Sequence, residues 1–75
     1  MYTILGRPNC PFCVDARDCL YAHDLTYNYI DVRDSPWLRT LCLKAGFTTV
    51  PLVFDPDGNF LGGYEGLSKH LEERL

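Results

Sequence analysis

Seventy-five residues, 47% of them hydrophobic, with seven Lys and Arg against ten Asp and Glu and a formal net charge of −3, are expected to form one domain, residues 1–75. The acidic balance argues against a nucleic-acid partner, which would need a basic stripe, and no apolar run approaches the length of a membrane span or a signal peptide. Four cysteines without an export signal point to a reducing cytoplasm, where a closely spaced pair is more often redox-active than structural.

Tyr2 to Leu5, closed by Gly6, is short, β-rich and uncharged, which suits a buried central strand. Arg7-Pro8-Asn9 breaks it. From Pro11 to about His23, residues Cys13, Ala16, Cys19, Leu20 and His23 recur at helical spacing, which predicts an amphipathic helix with one face on a sheet. Cys19 on that face reads as a small buried hydrophobe, and His23 as a partner for the last carbonyls of the helix. Leu25 to Val32 is rich in aromatic and β-branched residues and predicts a second strand, with Tyr27 and Tyr29 on one face as packing residues. Ser35 and Pro36 open a second helix, whose apolar face is Leu38, Leu41, Cys42 and Ala45 and whose end is Gly46. The position of Trp37, under this helix or exposed, stays open. Thr48 to Phe54 leads into a third strand with Pro51 at its first position. Asp55-Pro56-Asp57-Gly58 is a turn, so Phe60-Leu61 returns antiparallel. Gly62-Gly63 precedes a last helix with Tyr64, Leu67, Leu71 and Leu75 on one face. The order β-α-β-α-β-β-α makes an α/β domain, a four-stranded mixed sheet flanked by three helices.

Cys10-Pro11-Phe12-Cys13 falls where the first helix leaves the carboxyl end of the first strand, the usual place for ligands in such folds. Cys10 reads as the N-cap and Pro11 as the first helical residue, where a missing N–H costs nothing. The sulfur of Cys10 can then sit over the Cys13 amide, and a thiolate there meets the positive end of the helix dipole, which lowers its pKa. Thiol–disulfide exchange follows, Cys10 attacking and Cys13 resolving the mixed disulfide. The same spacing supplies half of many zinc sites, but no second pair is present and Cys19, His23 and Cys42 match no zinc spacing. A purely structural bridge would close too short a loop to stabilise much.

Taken together, GRPNCPFCVDARDCL, then TTVP, then GGYEGL, in this order and at these separations, resemble a dithiol glutaredoxin of the thioredoxin fold over nearly the whole chain. The resemblance implies a thiol-disulfide oxidoreductase with no tightly bound cofactor, no metal, and glutathione as co-substrate. It makes Pro51 a cis-proline facing the cysteines and lets the Val50 backbone pair with substrate as an added strand. Arg7, and with it Arg39, would receive the glycyl carboxylate of glutathione. The γ-glutamyl carboxylate would meet free N–H groups near Tyr64 and Glu65 at the start of the last helix. Pro11, Phe12, Thr49 and Gly63 complete the implied binding set, Phe12 standing where members usually carry tyrosine. Many members have an Asp within the two residues after the aromatic position; here they are Glu65 and Gly66. The short chain and the DPDG turn also look like small phage-encoded glutaredoxins, which suggests ribonucleotide reductase among the protein substrates of a monomeric, cytoplasmic enzyme. Two alternatives stand beside this reading: a redoxin of the same chemistry reduced by thioredoxin reductase, and a zinc or iron–sulfur binding module.

Overall fold

The structure, a computed structural model, describes residues 1–74. Its elements are β1 (Tyr2–Gly6), α1 (Pro11–Ala22), β2 (Tyr27–Asp31), a 3-10 turn (Val32–Asp34), α2 (Pro36–Lys44), β3 (Leu52–Phe54), β4 (Phe60–Gly62) and α3 (Tyr64–Arg74). The sheet order is β2-β1-β3-β4. β1 runs parallel to β2, from Tyr2 opposite Tyr27 to Gly6 opposite Asp31, and antiparallel to β3, with Ile4 opposite Val53 and Leu5 opposite Leu52. β4 closes the sheet against β3 through an irregularity at Val53 and Phe54. The expected succession of elements is the one that forms, with β1 central and buried.

Strand alternation divides the burial into two faces. Tyr2, Ile4 and Val53 point to the side covered by α1 and α3 and join Ala16, Leu20, Leu67 and Leu71 in the core. Leu5 and Leu52 are also buried but stand on the opposite face. The core is small, as the chain length requires, and burying each large side chain there contributes roughly 1.5–3 kcal/mol. Leu75, expected on the apolar face of the last helix, lies outside the described residues.

Several boundaries differ from the sequence expectation for local reasons. β2 begins at Tyr27 because Leu25 belongs to the end of α1: its N–H reaches the Leu20 carbonyl at 3.0 Å past Asp24, which holds a φ of +56°. Val32 leaves the strand because the Asp31 carboxylate accepts the Arg33 N–H at 2.9 Å and starts the 3-10 turn. Pro51 stands one residue before β3 instead of opening it, since it has no N–H to give to the ladder. The largest correction concerns α2. Leu38, Leu41, Cys42 and Ala45 do not form a buried face: no residue of α2 is buried, Leu41 is 57% exposed, and Ala45 is the C-cap. Trp37 is 68% exposed.

Candidate functional site

Cys10 is the N-cap of α1, with extended backbone angles of −116° and 104°, and Pro11 takes the first helical position. Asn9, just before it, holds a φ of +57°, a conformation that asparagine tolerates better than most residues. This kink turns the chain from the loop after β1 into the helix. The Cys13 N–H donates to Cys10 Sγ at 3.2 Å, while the Cys10 carbonyl accepts from Cys13 and Val14, each at 3.1 Å. Cys10 and Cys13 are joined as a disulfide, with their Cα atoms 5.2 Å apart. Cys13 is fully buried, whereas Cys10 keeps 5% of its surface.

Gly6 closes this corner from below. A Cβ there would overlap the Tyr29 hydroxyl and stand 3.1 Å from Cys13 Sγ, so a larger residue at the end of β1 would have to displace the Tyr29 ring and press on the sulfur. Tyr29 does more than pack, because its hydroxyl donates to the Arg7 carbonyl at 3.1 Å and fixes the loop that carries Cys10.

Tyr64 of α3 reaches the cysteine turn at Phe12, and the segment around Pro51 adjoins α3 at Gly63. The Val50–Pro51 peptide is cis, and Thr49 and Val50 precede the first ladder pair of β3 at Leu52, so they have no strand neighbour. Gly63 lies against Pro51: a Cβ there would stand 3.5 Å from the Pro51 carbonyl oxygen. Tyr64 begins α3, and its ring stacks on that of Phe12 at 6.5 Å and 26°. Phe12 is 61% exposed, so the pair forms an aromatic ledge beside the disulfide. Leu67 donates to the Gly63 carbonyl at 3.0 Å, and the N–H groups of Tyr64, Glu65 and Gly66 in the first turn of α3 are left without helical acceptors. Glu65 is exposed. Gly66 is enforced by packing, since any Cβ there would collide with the Leu61 carbonyl.

Arg7, Arg39, Thr49 and Val50 come together in a groove of about 420 Å³ beneath α2, whose lining includes Leu52 and Cys42 but neither Cys10 nor Cys13. Pro11, Phe12, Gly63, Tyr64 and Glu65 do not line it. The groove also contains Arg33, which sequence reasoning missed because it falls between the predicted second strand, ending at Val32, and the helix start at Ser35, where no pattern singles it out. The signal available was the crowding of Arg33 and Arg39 at the two sides of a helix start. Arg33 bonds Asp31 at 3.4 Å, and its backbone N–H, followed by its guanidinium, holds the Asp31 carboxyl below the usual carboxylate range. Among the described residues, no group of three His, Cys, Asp or Glu side chains is arranged to hold a metal ion, and no helix is long and apolar enough to cross a membrane. Cys19 packs partly against the core, and burial pushes its thiol pKa up, which makes it a poor nucleophile.

Residues 1–61 match the glutaredoxin family model. The chain is 35% identical to Glutaredoxin 1 of Escherichia coli over 80 aligned positions, covering 96% of this chain and 93% of that one. Its backbone superposes on reduced E. coli glutaredoxin with a TM-score of 0.76 at 35% identity, over 99% of this chain and 95% of the other. A TM-score of 0.78 relates it to the E. coli glutaredoxin-like protein NrdH-redoxin over 99% and 92% of the two chains, at 22% identity, a likeness of fold. The sheet, with its three helices, is thus a thioredoxin-like fold. With its first 61 residues matched by the family model and a 35% identical relative aligned almost end to end, the chain belongs to the glutaredoxin family and is a thiol-disulfide oxidoreductase.

Proposed function

We propose that this glutaredoxin reduces protein disulfides and glutathione mixed disulfides with glutathione as its electron donor, Cys10 serving as nucleophile and Cys13 as resolving thiol. The observation that carries the assignment is the placement of Cys10 Sγ at the N-terminus of α1, accepting the Cys13 N–H at 3.2 Å. A thiolate there is stabilised by that donor and by the helix dipole. Position orders the pair: Cys10 is the N-cap at the open end of α1, whereas Cys13 lies inside the first turn.

In the dithiol state, Cys10 gives up its proton and its thiolate attacks one sulfur of the substrate disulfide. A bond forms between Cys10 and that sulfur, and the other substrate sulfur leaves as a thiolate and takes a proton. Cys13 then attacks Cys10 Sγ, releases the second substrate thiol and forms the Cys10–Cys13 bond. Two electrons have passed to the substrate. One glutathione thiolate reopens the bond by attacking Cys10, and a second attacks the bound glutathione sulfur, which leaves glutathione disulfide and the dithiol.

Glutathione itself finds support at three places. The Val50 backbone offers strand addition to its cysteine, Arg7 and Arg39 offer charge to its glycyl carboxylate, and the free N–H groups around Tyr64 and Glu65 suit its γ-glutamyl carboxylate. Pro11, Phe12, Thr49, Pro51 and Gly63 shape the surface between them. The reading extends to a single-domain, monomeric, cytoplasmic protein without a tightly bound cofactor, with ribonucleotide reductase among its substrates.

Gly66 favours a second reading, in which thioredoxin reductase supplies the electrons. The residue offers no side chain to the γ-glutamyl end, and the related NrdH-redoxin has a thioredoxin-like activity profile. Oxidised protein supplied with NADPH and either glutathione plus glutathione reductase, or thioredoxin reductase, separates the two. NADPH consumption is expected with the glutathione system; turnover with thioredoxin reductase alone overturns the donor assignment.

A further inference from the structure

We propose that Tyr29 is a positioning residue for the redox pair: by holding the Arg7 carbonyl, its hydroxyl keeps Cys10 where Cys13 closes on it, and so favours the disulfide over the dithiol. The inference rests on Cys10 as nucleophile and Cys13 as resolving thiol, and it adds a residue from outside the cysteine turn that governs the step between them.

β2 is the edge strand of the sheet and runs parallel to β1, with Ile4 opposite Tyr29 and Gly6 opposite Asp31. Tyr29 therefore shares a face with Ile4 and Gly6, the face that α1 covers. Gly6 has no side chain, and the Tyr29 phenol takes the space that one would fill. A single methyl group at Gly6 would meet both the phenol oxygen and, at 3.1 Å, Cys13 Sγ, so the hydroxyl and the resolving sulfur border the same small space. From there the hydroxyl donates to the Arg7 carbonyl at 3.1 Å. Residues 7–9 are the link between the end of β1 and Cys10, and all three are exposed. Pro8 has no N–H to donate, and Asn9 turns the chain with a φ of +57°. Among the described residues, no other side-chain hydrogen bond reaches this link.

The two sulfurs are held differently. Cys13 is fully buried inside the first turn of α1, whereas Cys10, as the N-cap, moves with the link. In the resolving step Cys13 gives its proton to water and its thiolate attacks Cys10 Sγ. The bond from Cys10 to the substrate sulfur breaks, and the substrate leaves as a thiolate that takes up a proton. The rate of this step follows the fraction of time that Cys10 Sγ spends within reach, which is an effective concentration. Tyr29 restrains the link before the bond forms, so closure has less order left to impose. One neutral hydrogen bond of this kind is worth about a twofold to tenfold change in that concentration.

The test uses the full-length protein and Tyr29→Phe, which keeps the ring beside Gly6 and removes one hydroxyl. Both proteins are equilibrated in mixtures of glutathione and glutathione disulfide, and the dithiol fraction is read by thiol alkylation and mass spectrometry. The variant is expected to form the Cys10–Cys13 disulfide with an equilibrium constant about twofold to tenfold lower, a potential less negative by about 9 to 30 mV. Rapid mixing of the dithiol with excess glutathione disulfide, quenched in acid, should show first-order closure of the Cys10–glutathione intermediate slowed by a similar factor. A bond that served only the fold would stabilise dithiol and disulfide alike, lowering the urea midpoint of both and leaving the constant unmoved. That result, a constant that rises, or an unchanged closure rate overturns the inference. If the quenched intermediate carries glutathione on Cys13, the assignment of nucleophile and resolving thiol falls. The equilibrium constant does not depend on which sulfur attacks first, so it still decides the part played by Tyr29.

Discussion

At the scale of single residues, the two cysteines differ in burial and in what holds them. Cys13 is fully enclosed between Gly6 and the core side of α1, whereas Cys10 sits at the helix end with its sulfur over an N–H. Cys13→Ser should therefore keep reduction of small glutathione mixed disulfides, which needs one thiolate, and lose reduction of protein disulfides, which needs a resolving thiol. Paired assays with a glutathionylated peptide and a disulfide protein measure this, and loss of both activities would remove the assigned division of labour. The pair and its cap were legible in the sequence because capping is decided within four residues: Pro11 fixes the first helical position and Cys10 is left as the N-cap. The Tyr29 hydroxyl on the Arg7 carbonyl was not legible. It joins residues 22 apart, and nothing in an alternating strand pattern says where a phenol oxygen ends.

At the scale of elements, turns and helix ends follow from local chemistry and were mostly readable. His23 caps α1, its Nδ1 2.8 Å from the Cys19 carbonyl, and Gly58 closes the hairpin turn with a φ of +87°. The Asp55 carboxylate holds that turn together. It accepts the Asn59 N–H at 2.8 Å, the Asp57 N–H at 2.9 Å and the Asn59 side-chain amide at 3.1 Å. The backbone N–H of Asn59 is the main reason that its pKa lies below the ordinary carboxylate value. A carboxyl whose pKa is lowered by folding contributes stability that is present above its unfolded pKa, about 3.9, and is lost as pH falls through the folded value. The gap in urea midpoint between wild type and Asp55→Ala is thus expected to be constant near neutrality and to narrow below about pH 4. A gap independent of pH would show that the carboxylate charge plays no part. At the start of α3, the Leu61 carbonyl leaves no room for a side chain at position 66. Restoring an acid by Gly66→Asp should destabilise the fold by about 1–3 kcal/mol, read as a lower urea midpoint at unchanged m.

At the scale of the whole molecule, burial is unequal across the sheet. α1 and α3 share one core with Ile4, Val53 and Tyr2, and Tyr2 ties β1 to α3 again through a 3.2 Å contact of its hydroxyl with His70 Nε2. The other face has α2, which buries none of its residues and covers a groove where a third layer would have packed. The sequence pattern overstated this helix because Leu38, Leu41 and Cys42 recur at helical spacing whether or not an element exists to receive them. Periodicity reports that a helix is amphipathic, and only the remaining chain decides what lies opposite. With so little surface buried, α2 should open locally at far lower free energy than the rest of the fold. Amide hydrogen exchange on the oxidised protein is expected to be faster in α2 than in α1, β1 or α3, by several orders of magnitude at the fully buried positions Ile4 and Leu20. Exchange in α2 as slow as in β1 would mean that the helix is held as firmly as the core.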